Sequence, residues 1–440
     1  MSDKAPAEQD FSDNLSIQRV LLEISASKPT IEISSTTTGI DIFEHLDKPY
    51  LTAALAYVDQ EDIIGSLDIS GGEKITIDLK SMQNNWTRVV SKTFFIDKIV
   101  SADKTSDNVE MFVFHLIEDI GYLSNLHNLN RSMSGKPSAI ISTISNEFFS
   151  KDIKSSSTDF QSMKVIVPNL TPIEAMCWIK NRASTSDGYP FYLYSTLVDK
   201  ELNFNDLRSM MTGIKINPDM PFTFSESASG NDEQPTVARN RTIMRHQSKN
   251  TNNIFGLIRE GMVGSKYSYV DVTKNRVVDF DFNIDNEVVK LLRKDKIVDK
   301  GTPIFDSTRL DDTKGDITNR KITQVGGTNA YLTQKSYMES EGLAQYKLNI
   351  VNRSMAYMLT NNKIDVIVDG VEFLDGSANK TIGNKIDIRF LRNTNTEHKD
   401  SIYDRKKSGD FLIFACKHTI SPRTYTLTLS AMKLSNGELL

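Results

Sequence analysis

The feature that most constrains this chain is a pattern written twice, once near each end. Early, Gly71-Gly72-Glu73-Lys74-Ile75-Thr76-Ile77-Asp78-Leu79 precedes a hairpin of Phe94 to Val100 and Val109 to Ile117. Late, Ile382-Gly383-Asn384-Lys385-Ile386-Asp387-Ile388 precedes a hairpin of Phe411 to His418 and Tyr425 to Met432. Each copy is a glycine, a short I-x-I strand, a polar stretch and a hairpin of similar length. Alternation with period two puts the isoleucines on one face of a strand, the signature of a half-buried sheet. Two readings fit the echo. Antiparallel barrels share such grammar in general, or one barrel is duplicated within the chain.

Around the first copy, Val20 to Ile33, Tyr50 to Val58 and Ile63 to Ile69 also read as strands, which points to a barrel or sandwich. The period then changes: Asp119 to Asn130 and Pro137 to Phe149 carry apolar residues at helical spacing. Thr171-Pro172-Ile173-Glu174 is the strongest local signal. Thr171 fits an N-cap, Pro172 the first helical position, and Glu174 completes a capping box. The predicted helix runs from Pro172 to about Arg182 and buries Ile173, Met176, Cys177 and Ile179. A strand at Phe191 to Thr196 and an amphipathic turn at Leu202 to Met211 follow.

The span from Phe224 to Asn252 is rich in Ser, Asn, Arg and Gln and reads as a linker or loop. Strand patterns return at Tyr267 to Val272 and Val277 to Phe282, and Asp285 to Lys335 is polar and uneven. A helix is predicted from Ser340 to Leu359, then strands at Lys363 to Val368, Lys385 to Leu391, Phe411 to His418 and Tyr425 to Met432. The fold class is α+β and mainly β. The division this supports is a tail at 1–15, a first β-barrel domain at 16–118 and an α+β domain at 119–220. A linker with the start of a second barrel domain occupies 221–283, an inserted domain 284–344, and the rest of that barrel 345–440.

Composition excludes several classes. With 39% hydrophobic and 25% charged residues, wholesale disorder is out, and 440 residues suit about two to four domains. The balance of 52 Lys and Arg against 57 Asp and Glu gives no basic footprint for nucleic acid. No apolar run reaches the roughly 18 residues of a membrane anchor. Met1 to Asp13 is polar and acidic, reads as a disordered tail, and has no apolar signal segment. Cys177 and Cys416 read as buried thiols of a reducing compartment.

A search for chemistry returns no catalytic, cofactor-binding or metal residues. Gly71-Gly72 and Gly326-Gly327 lack the spacing of a phosphate-binding loop, and no H-E-x-x-H, G-x-S-x-G or C-x-x-C occurs. His45, His115, His127, His246, His398 and His418 are scattered, none four residues from another. His115 and His418 fall inside strands, as structural histidines do. Asp271, Asp279, Asp281 and Asp285, and Asp311-Asp312 with Asp316, miss calcium-loop spacing and read as solvated edges. Trp86 and Trp178 read as packing residues. The basic run Arg405-Lys406-Lys407 reads as a solvated loop, with an acidic protein partner as the alternative.

Several stretches together resemble a family. Val165-Ile166-Val167-Pro168-Asn169-Leu170-Thr171-Pro172, then Trp178, Arg182 and Phe191 to Tyr194, resemble baseplate central hub proteins of contractile-tailed, T-even-like bacteriophages. The closing text is similar too: Gly376, Ile382-Gly383-Asn384, Ser408-Gly409-Asp410-Phe411-Leu412-Ile413, His418 and Tyr425. That closing pattern is shared with the hub region of type VI secretion spike proteins, and Gly261 to Asp271 also fits. The spans 224–252 and 285–335 depart from it.

The resemblance implies two tail-tube-like β-barrels in one chain, and it favours true duplication for the echo. It implies a homotrimeric ring that adapts a sixfold tail tube to a threefold central spike. Implied partners are the spike and tube or tube-initiator proteins, with wedge and tape-measure proteins as further candidates. It implies no enzyme activity, no cofactor, no membrane anchor and no sequence-specific nucleic-acid binding. The implied location is the virion baseplate, assembled in the host bacterial cytoplasm. Interface residues are not assigned. The rivals are a peptidoglycan-cutting tail enzyme, a receptor adhesin, and the shell of a secretion spike. The last usually continues into a β-helical needle, whereas this sequence stops at Leu440.

Overall fold

The computed structural model describes residues 15–25, 28–81, 89–106, 109–155, 159, 162–224, 241–250, 259–261, 263–271, 276–297, 321–326, 343–359, 362–374, 378–391, 403–404, 407–422 and 424–435. The fold is α+β and mainly antiparallel β. The first unit contains β1 (Leu15–Glu23), β2 (Ile31–Glu32), β3 (Thr37–His45), β4 (Thr52–Asp59), α1 (Ile63–Leu67), β5 (Lys74–Ser81), β6 (Val89–Ser106) and β7 (Val109–Glu118).

A middle α+β region follows, with α2 (Asp119–Ser124), β8 (Ser132–Gly135), α3 (Pro137–Phe149), β9 (Ile153–Ser155), β10 (Met163–Ile166), α4 (Pro172–Lys180), β11 (Phe191–Tyr194), β12 (Leu202–Asp206) and α5 (Leu207–Thr212). Then come β13 (Phe222–Phe224), β14 (Arg245–Asn250), β15 (Gly264–Asp271) and β16 (Arg276–Asn283). A π turn at Asp285–Val289 leads into α6 (Lys290–Lys294), β17 (Lys321–Gly326) and α7 (Leu343–Leu359). The chain closes with β18 (Asn362–Asp369), β19 (Lys385–Phe390), β20 (Gly409–Ser421) and β21 (Thr424–Ser435).

The echo in the sequence is an echo in hydrogen bonding. In the first unit the strands pair in the order β3-β4-β7-β6-β5-β1; in the second, β14-β18-β21-β20-β19-β13 pair in the same order. The Gly72 amide donates to the Ile96 carbonyl at 2.7 Å, and the Gly383 amide to Ile413 at 2.9 Å. The return bonds match as well, Ile96 to Glu73 at 2.9 Å and Ile413 to Asn384 at 3.0 Å. Both glycines hold positive φ, 88° and 81°, which a side chain resists. Just beyond them both long strands bulge, β6 between Ile96 and Lys98 and β20 between Ile413 and Ala415. A bulge bends a strand and raises its twist, so each sheet turns at the same place. One pairing differs: β1 runs antiparallel to β5, whereas β13 runs parallel to β19.

The two units share one continuous sheet, because β20 pairs with β3 across the join. Each unit keeps a core of its own. Val20, Ile40, Ile42, Leu55, Ile75, Ile77 and Phe94 are buried in the first, where Ile420 and Tyr425 of the second unit also reach. Ile364, Val366, Ile386, Ile388, Leu427 and Leu429 lie in the second, together with Tyr346 and Met355 of α7. A third cluster holds the middle region, where α3 and α4 pack with Ile141, Ile144, Met176 and Ile179 fully buried.

The capping box stands as read. Thr171 Oγ1 accepts the Glu174 amide at 3.4 Å, and the Glu174 carboxylate accepts the Thr171 amide at 3.0 Å. Met176 and Ile179 are buried on α4, but Ile173 and Cys177 are only half-buried; Ala175 and Lys180 take the inner positions instead. Inward Lys180 is neutralised by an ion pair to Asp47.

Other expectations need correction. Ile63 to Ile69 is not a strand, because the Asp59 carboxylate accepts the amides of Ile63 and Ile64 and starts the α1 turn. The predicted helix from Asp119 to Asn130 stops at Ser124, since Leu129 leaves it to exchange two backbone bonds with Leu170. The polar span 224–252 contains a full strand, β14, which pairs with β18 among the described residues and has the polar composition of a sheet edge. The polar region after Asp285 holds the π turn and α6, and β17 lies parallel to β15. Strand β3 went unread because only Ile40 and Ile42 of its alternating positions are aliphatic. Met1 to Asp13, Trp86, Asp311, Asp312, Asp316, Arg405, Lys406 and His398 lie outside the described residues.

Candidate functional site at the join between the two units

The join is built from two strands of unlike origin. In β3 the side chains of Ile40, Ile42 and Glu44 alternate inward, and in β20 those of Cys416, His418 and Ile420 do the same. The register sets Cys416 opposite Glu44, His418 opposite Ile42, and Ile420 opposite Ile40. Period two therefore delivers a carboxylate, a thiol and an imidazole to one buried spot.

A buried carboxylate must have its lone pairs filled. Glu44 accepts the Leu197 amide at 2.5 Å and the Thr381 hydroxyl at 2.5 Å. It also takes the Cys416 thiol at 3.1 Å, and His418 Nε2 lies 3.4 Å away. His418 Nδ1 meets the Tyr425 hydroxyl at 2.8 Å, with the two rings stacked within 4° of parallel. Burial pushes the Glu44 carboxyl up, but the His418 charge and the bonds from His418, Thr381 and Cys416 outweigh it and lower its pKa. Burial, with Glu44 beside it, drives the Cys416 thiol well above its usual value. Tyr425 is raised in the same way, by burial first and then by Cys416 and Glu44.

A second buried carboxylate stands next to the first. Glu118, at the end of β7, accepts the Leu51 amide at 2.8 Å and faces Lys92 at 3.5 Å and Lys151 at 3.3 Å. Burial raises its pKa, while Lys92 and Lys151 more than reverse this, so the net shift is down. Ser195 Oγ donates to Glu118 at 3.4 Å, two residues before the Leu197 amide that Glu44 holds. The segment after β11 is thus gripped by two carboxylates of the first unit, one of which also grips the second unit.

Glu44, Cys416 and His418 form a donor set of the kinds that bind transition metals, within 4.8 Å of one another. Each of the three hydrogen-bonds within the set or to Leu197, Thr381 or Tyr425. The arrangement is that of a structural lock. Its sequence signal was Cys-x-His on a strand with a distant acidic partner, which spacing alone cannot pair.

The remaining histidines do not converge. His115 is exposed on β7, His45 Nδ1 accepts the Asp47 amide, and His127 lies against Phe148. His246 is sandwiched by Phe224 and Phe390. Trp178 is half-buried, with the Arg182 guanidinium 3.7 Å over its ring. Asp279 and Asp281 lie along β16 and draw in no further ligands among the described residues. A cleft of about 420 Å³ opens beside the lock, between β12, α5 and the loop before β19. Among the described residues no helix is long and apolar enough to cross a membrane.

No family model matches this chain, and no curated protein matches it. Among solved structures, the tail protein from Neisseria meningitidis MC58 superposes with a TM-score of 0.52 at 13% identity, covering 97% of this chain and 99% of that one. The two chains share one fold. A 43 kDa tail protein of prophage MuSo2 from Shewanella oneidensis aligns over 94% of this chain and 97% of its own, at 11% identity and a TM-score of 0.49. A type VI secretion component of Escherichia coli aligns over 95% and 76%, at 9% identity and a TM-score of 0.43.

Proposed function

We propose that this protein is the structural hub of a phage-type tail baseplate, a homotrimeric ring that adapts a sixfold tube to a threefold spike. The observation that carries the reading is the duplicated unit, with one pairing order and one glycine-anchored bulge in both copies. Three such chains present six near-equivalent units to one neighbour and threefold symmetry to another, which a single-unit chain cannot do. The fold shared with the Neisseria tail protein supports a place in a tail. The Glu44 lock supports a mechanical role, since it fuses both units and the middle region into one body. The role is load transmission and not catalysis. The spike, tube or tube-initiator proteins, wedges and tape-measure protein are the partners, and the assembled virion baseplate is the location.

Native mass of the purified protein, alone and with its cognate spike, tests this. Three copies of the 49.5 kDa chain, free or on the spike, are expected. A monomer under both conditions overturns the hub reading and returns the adhesin and cell-wall-cutting alternatives.

A further inference from the structure

Cys416 and His418 stand two residues apart on β20, so their side chains leave the same face of the sheet. Glu44 faces Cys416 from β3, across the join. Among the described residues this is the one place where three side chains of metal-binding kinds converge, and all three are buried.

The donor atoms stand at nearly equal separations. Cys416 Sγ lies 3.1 Å from Glu44 Oε2 and 3.4 Å from His418 Nε2, and Nε2 lies 3.4 Å from Glu44 Oε1. Around a tetrahedral zinc ion, ligand atoms at their usual bond lengths are about 3.3–3.6 Å apart. Two of the separations match that spacing, and the third must open by about 0.5 Å.

The surroundings prepare each donor. His418 Nδ1 meets the Tyr425 hydroxyl at 2.8 Å; with the ring proton on Nδ1, Nε2 turns its lone pair into the set. Each Glu44 oxygen takes one hydrogen bond from outside the set, Oε1 from the Leu197 amide and Oε2 from the Thr381 hydroxyl. An ionised oxygen keeps a second lone pair, and here those two face His418 and Cys416. Ligating imidazoles and carboxylates are oriented by an outer layer of hydrogen bonds of this kind.

We propose that Glu44, Cys416 and His418 bind one divalent transition-metal ion, zinc by the character of the donors, as a structural bolt between β3 and β20. Nitrogen, sulfur and carboxylate oxygen together suit zinc, and Sγ, Nε2 and both Glu44 oxygens make a closed set of four donor atoms. Charge closes as well, since one carboxylate and one thiolate neutralise a divalent ion and leave no net charge buried. On binding, Cys416 releases its thiol proton and His418 any proton on Nε2 to solvent, and bonds to the ion replace their hydrogen bonds to Glu44. Burial and Glu44 keep the proton on the free thiol, whereas a coordinated ion removes it outright. All three side chains belong to one chain, so the site does not depend on the ring. Being closed, it takes up its ion as the chain folds.

Cobalt is the probe, because tetrahedral cobalt bound by a thiolate has a charge-transfer band and strong visible absorption. The full chain and its Cys177→Ser variant are produced in minimal medium supplied with cobalt, washed with chelator to clear surface ions, and measured for metal content and absorption. The sequence has two cysteines, so a thiolate band in Cys177→Ser reports Cys416. The expected result is about one cobalt per chain, with the band, in both proteins. Cys416→Ser keeps a hydroxyl to donate to Glu44 and should fold without the band and without retained metal. The decision does not hang on that variant, because Cys177→Ser changes only a half-buried position on α4. Folded Cys177→Ser without metal, or with cobalt but no thiolate band, overturns the site and leaves the hydrogen-bonded lock.

Discussion

The Glu44 carboxylate accepts the backbone amide of Leu197 at 2.5 Å across 153 positions of sequence. That one bond ties a strand of the first β unit to the loop between β11 and β12 of the middle region. The other oxygen takes Thr381 and Cys416 of the second unit, so three parts of the chain meet on one side chain. Such a convergence opposes sliding of the units past each other.

Removing that carboxylate should therefore cost much more than an average substitution. Glu44→Ala leaves His418, Thr381, Cys416 and the Leu197 amide without their shared acceptor. The expected loss is about 3–5 kcal/mol, as when one member of a buried pair is deleted. The midpoint of urea unfolding measures it. A shift no larger than that of an exposed Glu23→Ala control, where the pair to Lys74 is open to solvent, would remove the lock from the account.

Acid should release the same grip. The pKa values of Glu44 and Glu118 are both lowered from 4.5 in the fold. A depressed carboxyl contributes stability that is fully present above its unfolded pKa and is lost as pH falls through its folded one. Stability should hold from neutral pH to about 5 and drop below about 4.5. Glu118→Gln should start less stable at neutral pH and show a shallower decline from pH 5 to pH 3. Unfolding free energies across that range, in both proteins, make the comparison; parallel slopes would contradict it.

The two anchoring glycines should tolerate a methyl group unequally. A Cβ on Gly383 would sit 2.6 Å from the hydroxyl of buried Tyr194, whereas on Gly72 its nearest neighbour is the Tyr122 hydroxyl at 3.6 Å. Gly72→Ala bears only the cost of positive φ, about 1–2 kcal/mol. Gly383→Ala adds displacement of Tyr194 and should lose more. Thermal melts of the two variants, run side by side, decide the order.

Neither thiol should behave as a nucleophile in the folded protein. Burial raises the Cys177 thiol pKa, and it raises Cys416 further, with Glu44 adding to the effect. Iodoacetamide at pH 8 should label Cys177 slowly and leave Cys416 unmodified, while both react after denaturation. Mass spectrometry of the native reaction reads this directly, and rapid labelling of Cys416 would mean the join opens.

What the sequence determined by itself is what short-range forces determine. The capping box at Thr171 and Glu174 closes within one helical turn, and the I-x-I strands after Gly72 and Gly383 follow from period two over a few residues. The duplication was visible because both copies keep the same local grammar. Where the sequence misled, a local pattern was overridden: Asp59 folded Ile63 and Ile64 into a turn, and β18 made a strand of polar Arg245–Asn250.

Only the tertiary structure decided which strand meets which. Nothing near Glu44 names Cys416, 372 residues away, as its neighbour, and nothing near β3 names β20. Backbone hydrogen bonds are alike for every strand, so pairing is chosen by how whole faces bury and by which buried polar groups find partners. That choice is collective, and it appears only when the two units close on each other.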